Sequence, residues 1–165
     1  MDAVAVRSPV LVMLRELVDG ASQSGWILNP MDPGLLRSLD KLSAAEASAP
    51  GAAGSSIAAH VDHIRYGLEL VNRWGRGEKP FDDADYSASW KRRTVGDAEW
   101  ASLRQRLRDE AHRWMTTVEE IRDVSGADAP DILIASAAHL AYHLGAIRQM
   151  SPGIRGPREG DRAQG

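Results

Sequence analysis

Apolar positions recur with a helical period in four stretches of this chain. In the first, Val10, Leu14, Leu17, Val18 and Ala21 fall on one face, which predicts a helix from about Pro9 to Ala21. Ser8 is placed to cap it, and Pro9 suits the first helical position, where a missing N–H costs nothing. Gly20 and Gly25 weaken the helix beyond that point. In the second stretch, Ile57, Val61, Ile64, Leu68 and Val71 predict a helix from Ser55 or Ser56, either a credible cap, to about Trp74. Gly75-Arg76-Gly77 ends it. The third stretch carries Trp100, Leu103, Leu107, Ala111, Trp114, Val118 and Ile121, predicting a helix over Asp97 to Val124 that Ser125-Gly126 closes. The fourth runs from about Pro130 to Met150 and stops at Pro152-Gly153.

Two long connections interrupt this pattern. Pro30, Pro33 and Gly34 punctuate residues 22–54, within which Leu35 to Asp40 suits a short helix. Ser48 to Ser55 is built of small residues and reads as flexible. The connection 75–96 carries Pro80, Phe81, Tyr86 and Trp90. About four residues join the third and fourth helices, which are therefore expected to be antiparallel neighbours, while the longer connections can cross over the bundle. The fold class expected is all-α, a four-helix bundle with two long crossover connections. No internal repeat is visible, and the Gly-, Arg- and Pro-rich segment from Pro152 onward is expected to be frayed.

Composition narrows the function classes. At 165 residues, with 43% hydrophobic and 26% charged positions, the chain suits one globular domain rather than a disordered segment. Net charge is −3 and the densest basic cluster is only Lys91-Arg92-Arg93, so no phosphate-tracking surface and no nucleic-acid partner is expected. The absence of cysteine excludes disulfides, cysteine nucleophiles and thiolate zinc sites, and any thiol chemistry needs a thiol from outside. The apolar run Val10 to Leu14 ends at Arg15-Glu16, and no stretch of about 18 apolar residues exists. A soluble cytoplasmic protein without a membrane span or secretory signal is the expectation.

Histidines carry the candidate chemistry. His139 and His143 stand four residues apart, one helical turn, so both imidazoles can reach one ion at about 2.0–2.1 Å. Ile132, Ser136, His139, His143 and Met150 share a face, flanked by Leu133, Leu140, Leu144 and Ile147. Imidazoles beside an apolar stripe need partners for both nitrogens, through ordinary hydrogen bonds or through a shared metal. On the second helix His60 flanks the buried stripe, and His63, three residues on, competes with it as a third ligand. Periodicity does not separate these two. Three neutral nitrogen donors leave coordination positions open, as catalytic sites do. His112 lies off its helix's apolar face and reads as surface, and Asp62 sits nearly opposite His60. The tryptophans read as packing, with a pocket role open to Trp90. HExxH, Glu-x-x-His, G-x-S-x-G and P-loop motifs are all absent.

Ser56-Ile57-Ala58-Ala59-His60 resembles the start of the second helix in DinB-like proteins, the metal-binding four-helix bundles. His139-Leu140-Ala141-Tyr142-His143-Leu144-Gly145 resembles that family's HxxxH-x-G signature, and Ser89-Trp90 and Trp100 to Leu103 resemble its connection and third helix. The resemblance covers about Leu35 to Met150. It implies a single DinB-like domain over residues 1–151, with 152–165 as a flexible tail. It implies one divalent metal, zinc or nickel, held by His60, His139 and His143, and often a homodimer. Related proteins include thiol-dependent S-transferases and maleylpyruvate isomerases. The expected function is thus a metal-dependent transferase or hydrolase acting on a small molecule, with a low-molecular-weight thiol as partner. The alternative is a non-catalytic metal- or ligand-binding bundle in a stress response. The chain departs from many relatives where Leu144 and Ala146, rather than Arg and Gln, flank Gly145, so no specific thiol transfer is inherited. Ligand histidines must be neutral, so metal affinity is expected to fall below about pH 6.

Overall fold

The structure is a computed structural model and describes residues 3–52, 54–121 and 128–157. Six α-helices are described: α1 Ala3–Asp19, α2 Gly34–Leu39, α3 Ala44–Ser48, α4 Ile57–Gly75, α5 Asp97–Glu120 and α6 Ala129–Met150. Single 3-10 turns occur at Ala88–Trp90 and Pro152–Ile154. Among the described residues there is no strand, only an isolated bridge between Pro50 and Ser56. The fold is all-helical.

The apolar stripes become the core. Leu14, Leu17 and Val18 of α1, Ile57, Val61 and Ile64 of α4, and Leu103, Leu107 and Trp114 of α5 are all buried, and so are Leu133, Leu140 and Ile147 of α6. Removing such side chains from water is the main favourable term in folding. The four long helices pack in a ring, α1 on α6, α6 on α4, α4 on α5 and α5 on α1. The expectation that α5 and α6 lie side by side is corrected. They face each other across the core, where Trp114 Nε1 donates to Ser136 Oγ at 2.9 Å. A short connection limits the distance between helix ends but does not force neighbours along the length.

The predicted start of the first helix is also corrected. Ser8 is not its cap, since α1 continues back to Ala3 and holds Pro9 in its interior. A proline there leaves the carbonyl four residues back without its partner. Ala5, Ser8 and Pro9 are all exposed, so that carbonyl can meet water and the ring points away from the core. Val6 packs on the core and Arg7 Nη1 donates to the Ile121 carbonyl at 2.9 Å, which holds the added turns in place. Gly20 ends the helix at φ 103°, a left-handed conformation that side chains disfavour.

Ser56 caps α4, its Oγ accepting from the Ala59 N–H at 3.2 Å. The α3 helix was not anticipated. It begins in a reciprocal box in which Ser43 Oγ accepts from the Glu46 N–H and Glu46 Oε2 accepts from the Ser43 N–H. The third helix ends at Glu120, where Ile121 leaves the helical conformation as its C-cap, which corrects the expected run to Val124; the expected closure at Ser125-Gly126 lies outside the described residues. Beyond α6, Ile154 is buried and the Pro157 carbonyl accepts from Asn29 Nδ2 at 2.7 Å. Residues 158–165 lie outside the described residues.

Candidate metal centre

Spacings of three residues on α4 and four on α6 put pairs of imidazoles on facing helix surfaces. His60 and His63 meet His139 and His143 there, and all four rings form one cluster. His139 Nε2 lies 3.1 Å from His63 Nε2 and 3.0 Å from His143 Nε2. His60 Nδ1 lies 2.9 Å from His143 Nδ1. One donor nitrogen from each of His63, His139 and His143 can be chosen so that all lie within 4.8 Å of one another. His60 stands at the edge of that trio, on the other nitrogen of His143. The structure thus brings His139 and His143 together with His63, while His60, expected beside them, meets His143 on its other nitrogen. His112 is remote, exposed and 3.0 Å from Asp19 Oδ1.

A partner outside the trio fixes the proton on His63. Ser89 Oγ is buried and donates to the Tyr86 carbonyl at 2.8 Å, so its lone pair faces His63 Nδ1 at 2.9 Å. His63 therefore carries its proton on Nδ1 and turns an unprotonated Nε2 toward His139. Asp85 begins the turn that delivers Ser89. It accepts from the Ser87 and Ala88 N–H groups, and its own N–H reaches the Tyr66 hydroxyl at 3.0 Å. Trp90, next in sequence, stacks on His63 at 4.4 Å between ring centroids and meets His60 edge-on at 5.1 Å. It forms a wall of the cluster rather than part of the core. Trp26 departs from the packing role further, with 84% of its surface exposed.

The electrostatics favour neutral rings. Burial, then the neighbouring His139 and His60, pushes His63 down to about 4. Burial, then His139, His63 and His60, pushes His143 down to about 3. Burial alone lowers His60 and His139. No carboxylate belongs to the converging set found among the described residues. Asp62, the nearest acid in sequence, is occupied by Arg65 at 2.9 Å and Arg92 at 3.0 Å.

These features fit a divalent ion. Nitrogens at about 2.0–2.1 Å from one ion are at most about 4.2 Å apart, and both contacts to His139 Nε2 lie within that limit. One proton on His139 Nε2 cannot fully serve two partners, whereas a cation uses all the converging lone pairs. The His139 ring packs against Gly67, where an added Cβ would stand 3.4 Å from Cε1, in ordinary contact. Sequence periodicity could not rank His63 above His60, because the deciding atom is Ser89 Oγ, 26 residues away in the chain. No described helix is long and apolar enough to cross a membrane. Comparison with protein-family models, with curated proteins and with solved structures finds no match.

Proposed function

We propose that the histidine cluster binds one divalent metal ion, zinc or nickel, and that the protein is a metal-dependent enzyme of DinB-like type, a transferase or hydrolase. The observation that carries this reading is the approach of His63, His139 and His143 through nitrogens held neutral by burial. His139 and His143 are ligands in either assignment. Geometry favours His63 as the third, with its tautomer fixed by Ser89, and makes His60 the partner of His143 Nδ1. The sequence resemblance favours His60. A bound ion of this kind supplies Lewis acidity, polarising an oxygen or lowering the pKa of a bound water or external thiol. The chain's own residues orient the imidazoles and shield them with Trp90.

The crossover topology of DinB-like bundles is part of the proposal. Its support is pairwise. Asn72 Nδ2 meets Glu110, and Gly75 faces Thr117, so α4 and α5 run in the same sense and residues 76–96 return along the bundle. The first connection joins α1 to α4, which are diagonal in the ring.

Elemental analysis of the purified protein and its single-alanine variants tests the reading. One equivalent of zinc or nickel is expected, lost in His139→Ala and His143→Ala. Loss in His63→Ala with retention in His60→Ala supports the geometric set, and the converse supports the set by resemblance. Protein that takes up no metal after reconstitution overturns the proposal. A second reading, a metal-binding bundle without catalysis, draws on the converging set found among the described residues, which consists of histidines alone. It predicts bound metal and no turnover across thiols, esters and electrophiles.

A further inference from the structure

A cavity of about 330 Å³ opens beside His139, between α4, α6 and the loop that carries Phe81 and Tyr86. Its size is at the lower end of the range for small-molecule sites. Leu68, Val71, Ile132 and Leu140 form its walls, and no Asp, Glu, Lys or Arg is among the described residues that line it. Among the described residues two hydroxyl-bearing side chains line it, Tyr86 at the rim and Ser136, whose hydroxyl is already committed, donating to the Leu133 carbonyl and accepting from Trp114. His139 is therefore the polar group at the histidine end of a chamber whose described walls are apolar up to the Tyr86 rim. Its Nε2 faces the other histidines, while Cε1 and Nδ1 face Gly67, which also lines the chamber. Phe81 and Tyr86 stand at the rim, 40% and 48% exposed, large side chains left half in water as though short of a contact.

One loop serves both compartments. Tyr66 anchors Asp85, and the turn that follows puts Tyr86 on the chamber and Ser89 and Trp90 on the histidines. A ligand lying in the chamber would thus touch the same segment that sets the proton on His63.

We propose that this chamber binds the apolar body of the substrate, a small aromatic or branched-alkyl group bearing a single electron-pair donor at the end that faces the histidines. A charged body is disfavoured because no charged side chain among the described lining residues would compensate its desolvation. The placement of the donor on the ion rests on the metal reading above, whereas the apolar preference does not.

Titration of the metal-free and zinc-reconstituted protein with 3-phenylpropionate and with glutarate, followed by ligand-detected NMR, tests this. The two acids share a carboxylate head and differ in the body. Phenylpropionate is expected to bind saturably to both forms and more tightly than glutarate by about tenfold or more, the scale of burying an aromatic ring. Ala135 is exposed on the chamber wall, so Ala135→Trp fills the space without disturbing the core. That variant should keep its helical circular dichroism and its zinc content and lose the phenylpropionate preference. Equal affinity for the two acids, or a preference that survives Ala135→Trp, overturns the proposal. Failure to retain zinc would count against the metal reading alone, since the metal-free titration still decides the chamber.

Discussion

At His63 the decisive feature is a single proton. Ser89 Oγ spends its own hydrogen on the Tyr86 carbonyl, so it can only accept from His63 Nδ1, and the donor lone pair of Nε2 is left facing His139. Partners of this kind hold a ring in the ligand tautomer and orientation, and losing one typically costs about 10–100-fold in metal affinity. Ser89→Ala is expected to weaken zinc binding by that order, measured by competition with a chromophoric chelator. Ser89→Thr, which keeps the hydroxyl, should restore much of it. An unchanged affinity in Ser89→Ala would remove His63 from the ligand set and return the role to His60. The Ser89-Trp90 pair was visible in the sequence only by resemblance, because no local pattern says which histidine a distant serine will meet.

At the scale of elements, what could be read was what repeats. The stripe of α4 gave that helix nearly to the residue, because each turn restates the buried face and Ser56 caps the start, whereas α5 was placed correctly at Asp97 but ends at Glu120, before the expected Val124. The α3 helix was missed although its Ser43-x-x-Glu46 box is a recognised signal, since a five-residue helix has no periodicity to support it. The extension of α1 past Pro9 was not legible because it depends on which side of the helix faces water. The joint between the first connection and α6 was also out of reach. There Arg148 holds Asp32 with both guanidinium nitrogens, at 2.6 and 2.9 Å, and Asp32 also accepts from the Gly34 N–H. Asp32 is 2% exposed, so removing its partner leaves a buried carboxylate unpaired. Arg148→Ala should cost about 3–5 kcal/mol in urea unfolding. Arg148→Lys should recover only part of it, because an ammonium cannot reproduce the two-point contact. A cost below about 1 kcal/mol would mean the pair behaves as a solvated surface bridge.

For the whole molecule, four imidazoles packed together make stability depend on pH in a definite direction. In the unfolded chain each histidine takes up its proton near pH 6.5. In the fold His63 does so only near 4 and His143 near 3, and His60 and His139 are lowered in the same direction. Between those limits the unfolded state holds more protons than the native one, so the unfolding free energy falls as pH falls. The stability is complete above about pH 6.5 and is lost progressively below it, each proton contributing at most about 1.4 kcal/mol per pH unit and less where the ring is partly solvated. The carboxylates with lowered pKa, Glu46, Glu78 and Asp85, titrate below their ordinary values and so leave the window from pH 6.5 to 5 to the histidines. Metal-free protein in EDTA should therefore melt at a clearly lower temperature at pH 5 than at pH 7.5. Replacing His63 and His143 together with glutamine should flatten that dependence. The same shifts revise the expectation for the metal, because a fold that keeps its rings neutral protects them from proton competition. Zinc affinity should hold below pH 6 and fail only as pH approaches about 4 or the metal-free fold gives way. Zinc-loaded protein should melt higher than metal-free protein at pH 7.5, since the ion binds the native state, and the gap should narrow only as pH approaches about 4. A melting temperature of the metal-free protein that rises or stays level from pH 7.5 to 5 would mean that the histidines take up protons in the fold at least as readily as in the unfolded chain, and zinc affinity would then fall from about pH 6 rather than hold below it.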